Sequence, residues 1–181
     1  MLPTMTTPHW NQLFSHSLTQ SPQYQQYFNF AIAYLDSAQR LCNVLSRSTR
    51  KATYERGAVV LFLAHHALEL FYKAAVLRKN PNERRSHNLQ KLRECYLKFY
   101  PEKCLQIPTL FYTSYEECAK EHAARLQGLA SIPIDQLYRY PEAKNGKPWQ
   151  IYDSFEAFSF SIELAGLRKS INLVWNQIDN Q

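Results

Sequence analysis

Glycine is nearly missing from this chain, with 4 in 181 residues. Long segments with a 3.6-residue apolar rhythm and few glycines predict helices joined by short, proline-marked turns. Cysteines at metal-ligand spacing are absent as well. Cys42, Cys95, Cys104 and Cys118 contain no C-x-x-C, and three of them fall at helical core positions. They read as reduced thiols of a cytoplasmic protein, not as a zinc site or a disulfide framework. No N-terminal apolar stretch with a basic flank is present, so no secretory signal is expected. Repeats, low-complexity tracts and a recognisable interdomain linker are lacking too. The longest uninterrupted apolar run, Ala58–Ala64, falls far short of the ~20 residues of a membrane span. No membrane partner is expected.

What is abundant is aromatic surface: 12 Tyr and 10 Phe, with aromatics at 14%. The length predicts one domain with a single sizeable core. Net charge is +6 and unevenly spread. Arg47–Arg56 carries four cations against Glu55, a net +3, and Arg78–Arg93 carries six against Glu83, a net +5; the rest is therefore −2.

Residues 1–22 are polar and proline-spotted, with a short apolar patch at Trp10, Leu13 and Phe14. They read as a partly ordered arm before a single helical domain spanning 23–181. Tyr24–Ser46 places Tyr24, Phe28, Ala31, Leu35, Ala38, Cys42 and Leu45 on one stripe, which predicts a helix lying nearly antiparallel to a partner. Asn88–Tyr100 forms a third helix, stopped by Pro101. Ser114-x-x-Glu117 has the capping-box pattern for a fourth, with Tyr115, Cys118, His122, Leu126 and Leu129 as its stripe. A long irregular stretch, 131–149, follows. Asp153-x-x-Glu156 then caps a last helix, with Phe160, Leu164, Leu167, Ile171, Val174 and Ile178 inward.

The second helix, Gly57–Leu77, organises the rest. Roughly two-thirds of its circumference is apolar, as expected of a rod buried on several sides. The remaining arc, roughly 100° wide, carries His65, His66, Glu69 and Lys73, with Phe62 and Val76 above and below. Glu69 lies one turn from both histidines and pairs with Lys73 in the favoured i,i+4 orientation. Asn80-Pro81 ends the rod.

His66-Ala67-Leu68-Glu69, Lys73-Ala74 and Leu77, then a polar turn and His87-Asn88-Leu89 with Leu92, resemble the core of the HEPN superfamily. Tyr138-Arg139-Tyr140-Pro141 is similar to the loop that precedes the last helix in many members. The resemblance covers about Tyr24–Phe99. It implies an all-α, up-and-down bundle of about five helices around a four-helix core, often a homodimer. It also implies a toxin–antitoxin or defence setting, with an antitoxin or nucleotidyltransferase-type partner.

Several groupings carry candidate chemistry. The His65/His66/Glu69/Lys73 arc is either a polar pocket or a set of buried groups that satisfy one another. The basic turn Arg78–Arg85 either contacts phosphates or complements a helix C-terminus. Tyr138–Pro141 and Lys147–Trp149 either stack a base or plug the bundle end with aromatic rings. A metal site is not expected, because no second helix offers a Glu-x-x-His to match His65 and Glu69. Nor is another cofactor. The superfamily's ribonuclease motif, Arg followed by His after four to six residues, is not present at that spacing: Arg84 and Arg85 are too close to His87, and Arg78 is too far.

The expectation is a non-catalytic module that binds a nucleotide or RNA phosphate, a protein partner, or both. Its binding residues would be Arg84, Arg85, His87, Asn88, His66, Glu69, Lys73, Arg139 and Tyr140. One alternative is a metal-independent ribonuclease at a dimer cleft, with His87, Arg84 and Arg85 as its catalytic group. The other is a structural dimerisation protein.

Overall fold

A computed structural model describes residues 20–48, 50–83, 86–108, 138–139 and 155–180. Four α-helices account for most of them, and no strand occurs among the described residues. They are α1 (Gln23–Ser46), α2 (Tyr54–Lys79), α3 (Leu89–Phe99) and α4 (Ala157–Asp179), with a single 3-10 turn at Lys103–Leu105. The all-α bundle expected from the apolar rhythm is what the chain forms. The expected helix after Ser114, the N-terminal arm through residue 19, and most of the 131–149 stretch lie outside the described residues.

α2 is the hub. Its long apolar run is enclosed by α1 along much of its length, by α3 on another side and more lightly by α4. Ala64, Ala67, Ala74 and Ala75 are fully buried, and their small side chains let neighbouring helices approach closely. α2 is long and apolar enough to cross a membrane by length and composition, yet 72% of its most apolar window is covered by the bundle. The uninterrupted run is short because His65, His66, Glu69 and Lys73 break it; the flanking leucines and alanines keep the average high.

α1 and α4 lie antiparallel. Phe28 stacks on Trp175 with centroids 4.1 Å apart, and Gln39 Nε2 donates to Ser161 Oγ at 3.0 Å. At the far end, Cys42 Sγ donates to the Ala157 carbonyl at 3.1 Å. Burial pushes that thiol up to about 11, helped by the Glu156 charge.

The helix ends explain where each element starts. Asn88 caps α3, its side chain accepting from Lys91 N at 2.9 Å. At α4 the cap is Glu156, whose carboxylate accepts from Phe158 N and Ser159 N at 2.9 and 2.6 Å. Those bonds hold Glu156 below its ordinary value. Asp153, the expected cap, lies outside the described residues; Glu156 fills the role because its own side chain can reach two free amides at once.

Candidate functional site

Phe62, His66, Glu69 and Lys73 follow the i, i+4, i+7, i+11 rhythm and so form one stripe of α2. The stripe is aromatic and half-exposed at its start and charged and buried further on. Glu69 and Lys73 are both buried, and Lys73 Nζ donates to Glu69 Oε1 at 2.6 Å. A buried charge of either sign needs such a partner, because unpaired it would lose several kcal/mol of hydration, on the order given for buried ions.

The second element of the site comes from the segment before α3. His87 Nδ1 lies 3.0 Å from the same Glu69 oxygen and 3.4 Å from Lys73 Nζ. Its side chain is 80% exposed while Glu69 is 3% exposed. His87 is thus a lid on a buried pair, with one edge turned inward and the rest facing solvent. The Asn88 cap of α3 fixes the backbone next to it, and Asn88 N donates to Ser86 Oγ at 3.0 Å.

On the other side, His66 Nδ1 stands 3.5 Å from Glu69 Oε2. That is an ion-pair distance too long for a good hydrogen bond, and the nitrogen has no hydrogen-bond partner. The ring is held by aromatic packing instead. Tyr34 of α1 meets it edge-on with centroids 4.6 Å apart, and Phe62 lies parallel to it at 5.8 Å. The Arg139 guanidinium sits 5.0 Å over the outer face of the seam at Phe62, within cation–π range.

One carboxylate therefore faces one ammonium and two imidazoles. Burial pushes Glu69 upward, but the His66 and Lys73 side chains more than offset it and hold the carboxyl down to about 2. Glu69 is an anion at any physiological pH. An anionic acceptor at 3.0 Å requires the proton on His87 Nδ1, so Nε2 is left as the solvent-facing nitrogen. Protonation of either histidine turns the cluster net positive, which suits it to an anion arriving from solvent.

The expected site residues divide into three groups. His66, Glu69, Lys73 and His87 converge, and Arg139 joins the same stripe at Phe62. Asn88 is adjacent but engaged as a helix cap. Arg84, Arg85 and Tyr140 lie outside the described residues. His65 is buried. Within the basic turn, Arg78 donates to the Ile178 and Asp179 carbonyls at 3.1 and 2.9 Å, pairs with Asp179 at 3.2 Å and covers the Tyr24 ring. Lys79 lies over Tyr100. Both cations serve the bundle end. Sequence reasoning missed Tyr34, which sits one position off the buried stripe of α1 and carries no motif.

Among the described residues, no group of three or more His, Cys, Asp or Glu is placed to hold a metal ion. Lys73 Nζ already occupies Glu69 Oε1 at 2.6 Å. A cleft of about 150 Å³, lined by Thr53, Gly57, Leu61, Tyr138 and Phe155 among others, lies at the start of α2, away from the seam. Its described lining is mostly apolar, with no charged side chain among the described residues. No protein-family model, curated protein or solved structure matches the chain.

Proposed function

We propose that this chain is a HEPN-like, non-catalytic binding module of the cytoplasm, whose His87–Glu69–Lys73 seam receives the phosphate of a nucleotide or of RNA. The observation that carries the reading is the exposed His87 ring anchored through Nδ1 to a buried, ionised carboxylate. An anchored imidazole presents Nε2 in a fixed direction; with both ring nitrogens protonated it donates Nε2–H to an anion and makes the cluster behind it net positive. Arg84 and Arg85, its near neighbours in sequence, add the charge that a phosphate requires. Arg139 on Phe62 offers a flat cation and an aromatic face farther along the same stripe, the combination on which a base can stack. The resemblance adds a toxin–antitoxin or defence setting with a nucleotidyltransferase-type or antitoxin partner.

Titration of a fluorescent single-stranded RNA and of a labelled nucleoside triphosphate at several salt concentrations tests this. Binding is expected to weaken with salt, to fall about tenfold in His87→Ala, the loss of one good hydrogen bond, and to fall further in Arg84→Ala/Arg85→Ala. A wild-type chain that binds neither probe at low salt sinks the reading.

One feature favours a second reading, a metal-independent ribonuclease. A histidine oriented by a carboxylate is the arrangement that general acid–base chemistry uses, and Arg84 or Arg85 would stabilise the phosphate. RNA cleavage that disappears in His87→Ala, with unchanged circular dichroism, would establish it. Intact RNA after incubation with wild type rules it out.

A further inference from the structure

The basic segment Arg47–Arg56 takes no part in the seam, and the cleft of about 150 Å³ opens beside it at the start of α2. Gly57 shapes that cleft. A Cβ at this position would press on the Phe155 ring at 3.0 Å, so the missing side chain is what lets the ring lie close to the α2 backbone. Phe155 is steadied in turn by the Glu156 cap of α4, the next residue, and by Phe160, whose ring meets it edge-on with centroids 5.5 Å apart. Tyr54 and Tyr138 add two more rings, and Ala58 and Leu61 complete an apolar wall. A space of about 150 Å³ between apolar walls holds one benzene-sized molecule, and three aromatic neighbours suit it to a flat one.

The edge of the cleft is basic. Lys51 and Arg56, both exposed, adjoin the lining residues Ala52 and Gly57 in the chain. The Lys51 carbonyl accepts from Thr53 N at 2.9 Å and from Arg56 Nη1 at 3.2 Å. The guanidinium is thereby folded back to within two hydrogen-bond lengths of the cleft wall at Thr53. One carboxylate lies nearby. The Thr53 hydroxyl and Glu55's own amide donate to Glu55 and hold it below its ordinary value, with Arg56 adding to the effect. Four cations stand against that single anion, so the segment keeps its net +3.

A neutral ring would leave this charge unused. A ring bearing one carboxylate uses both features, its apolar part among the aromatic side chains and its charge at the basic edge. We propose that the cleft binds a monocyclic aromatic carboxylate, ring inward and carboxylate toward Lys51 and Arg56. One ring buries little surface, so the dissociation constant is expected near ~1 mM. The proposal is independent of the seam, and failure of either leaves the other untouched.

Titration of the isotope-labelled full chain with benzoate into the millimolar range, followed by amide NMR, tests it. Shifts are expected at Thr53, Gly57, Ala58 and Leu61, while the Glu69 and Asn88 amides stay in place. Benzyl alcohol, a similar ring without the charge, should bind about fivefold more weakly, the scale of an exposed ion pair. Ala58→Leu fills the cleft and should abolish the shifts. Lys51→Gln/Arg56→Gln changes only exposed side chains, so it serves even where Ala58→Leu disturbs the fold. It should weaken benzoate about fivefold and leave benzyl alcohol unchanged, and His87→Ala should bind benzoate as wild type does. Shifts absent from the cleft, or confined to the seam, overturn the proposal. So does benzyl alcohol that binds as tightly as benzoate, or a benzoate affinity that Lys51→Gln/Arg56→Gln leaves intact.

Discussion

Glu69 is the residue on which most of the site depends. It holds Lys73 in the interior, orients His87 from the α3 side and faces His66 on its own helix. Glu69→Gln keeps the shape but leaves a buried ammonium without its counter-charge, and is expected to cost about 3 kcal/mol in urea unfolding at neutral pH. Replacing both partners with methionine should recover much of that loss, since an apolar pair of similar volume needs no hydration. The acid dependence has a definite sign. The carboxyl is held below its ordinary value, to about 2. Its contribution is therefore present above about pH 4.5 and is lost as pH falls toward 2. Wild-type and Glu69→Gln stabilities should converge over that window; a constant gap between them would mean that Glu69 acts through its packing and not its charge.

At the scale of elements, the ends of helices carry as much of the organisation as their faces. Arg78, near the end of α2, binds two carbonyls at the last turn of α4 and covers Tyr24 at the first turn of α1. It ties three helices at one end of the bundle, using the affinity of a cation for unpaired C-terminal carbonyls. Arg78→Ala is expected to lower stability by about 1–2 kcal/mol, from charge-assisted hydrogen bonds. It should also speed amide exchange in the last turn of α4 more than in its middle. Uniform acceleration along α4 would argue against a local tie. A sequence-based account of the basic turn sees one cluster of cations. The fold separates them: Arg78 and Lys79 are occupied by the bundle end, and His87 stands over the seam.

Across the whole molecule, the core is unusually rich in tyrosine. Tyr72, Tyr96 and Tyr100 are buried together, with centroids of neighbouring rings 5.2 and 5.1 Å apart. Tyr96 donates its hydroxyl to the Leu105 carbonyl, and Tyr100 donates to the Ala75 carbonyl at 3.1 Å. Burial pushes Tyr72 and Tyr100 up to about 12 and Cys42 up to about 11. Each group ionises more readily unfolded than folded. Its contribution is thus complete below the unfolded value, about 9 for the thiol and about 10 for the phenols, and declines as pH rises above it. Thermal melting should therefore hold steady to about pH 9 and then fall steadily through pH 11. A melting temperature unchanged at pH 11 would contradict the burial of these groups.

The helices were readable because each is written in one-dimensional periodicity. The stripes of α1 and α4 and the near-uniform apolarity of α2 come from residues four or fewer apart, where geometry is fixed by the helix itself. The grouping of His66, Glu69 and Lys73 was readable for the same reason. Tyr34 against His66, Arg139 over Phe62 and the division of the basic turn were not readable. Each joins residues far apart in sequence, brought together only by helix packing. The sequence by itself determined an all-α chain with a buried central rod bearing one charged seam. Only the tertiary structure decided that His87 covers that seam, because no local period links residue 87 to residue 69; the packing of α3 against α2 does.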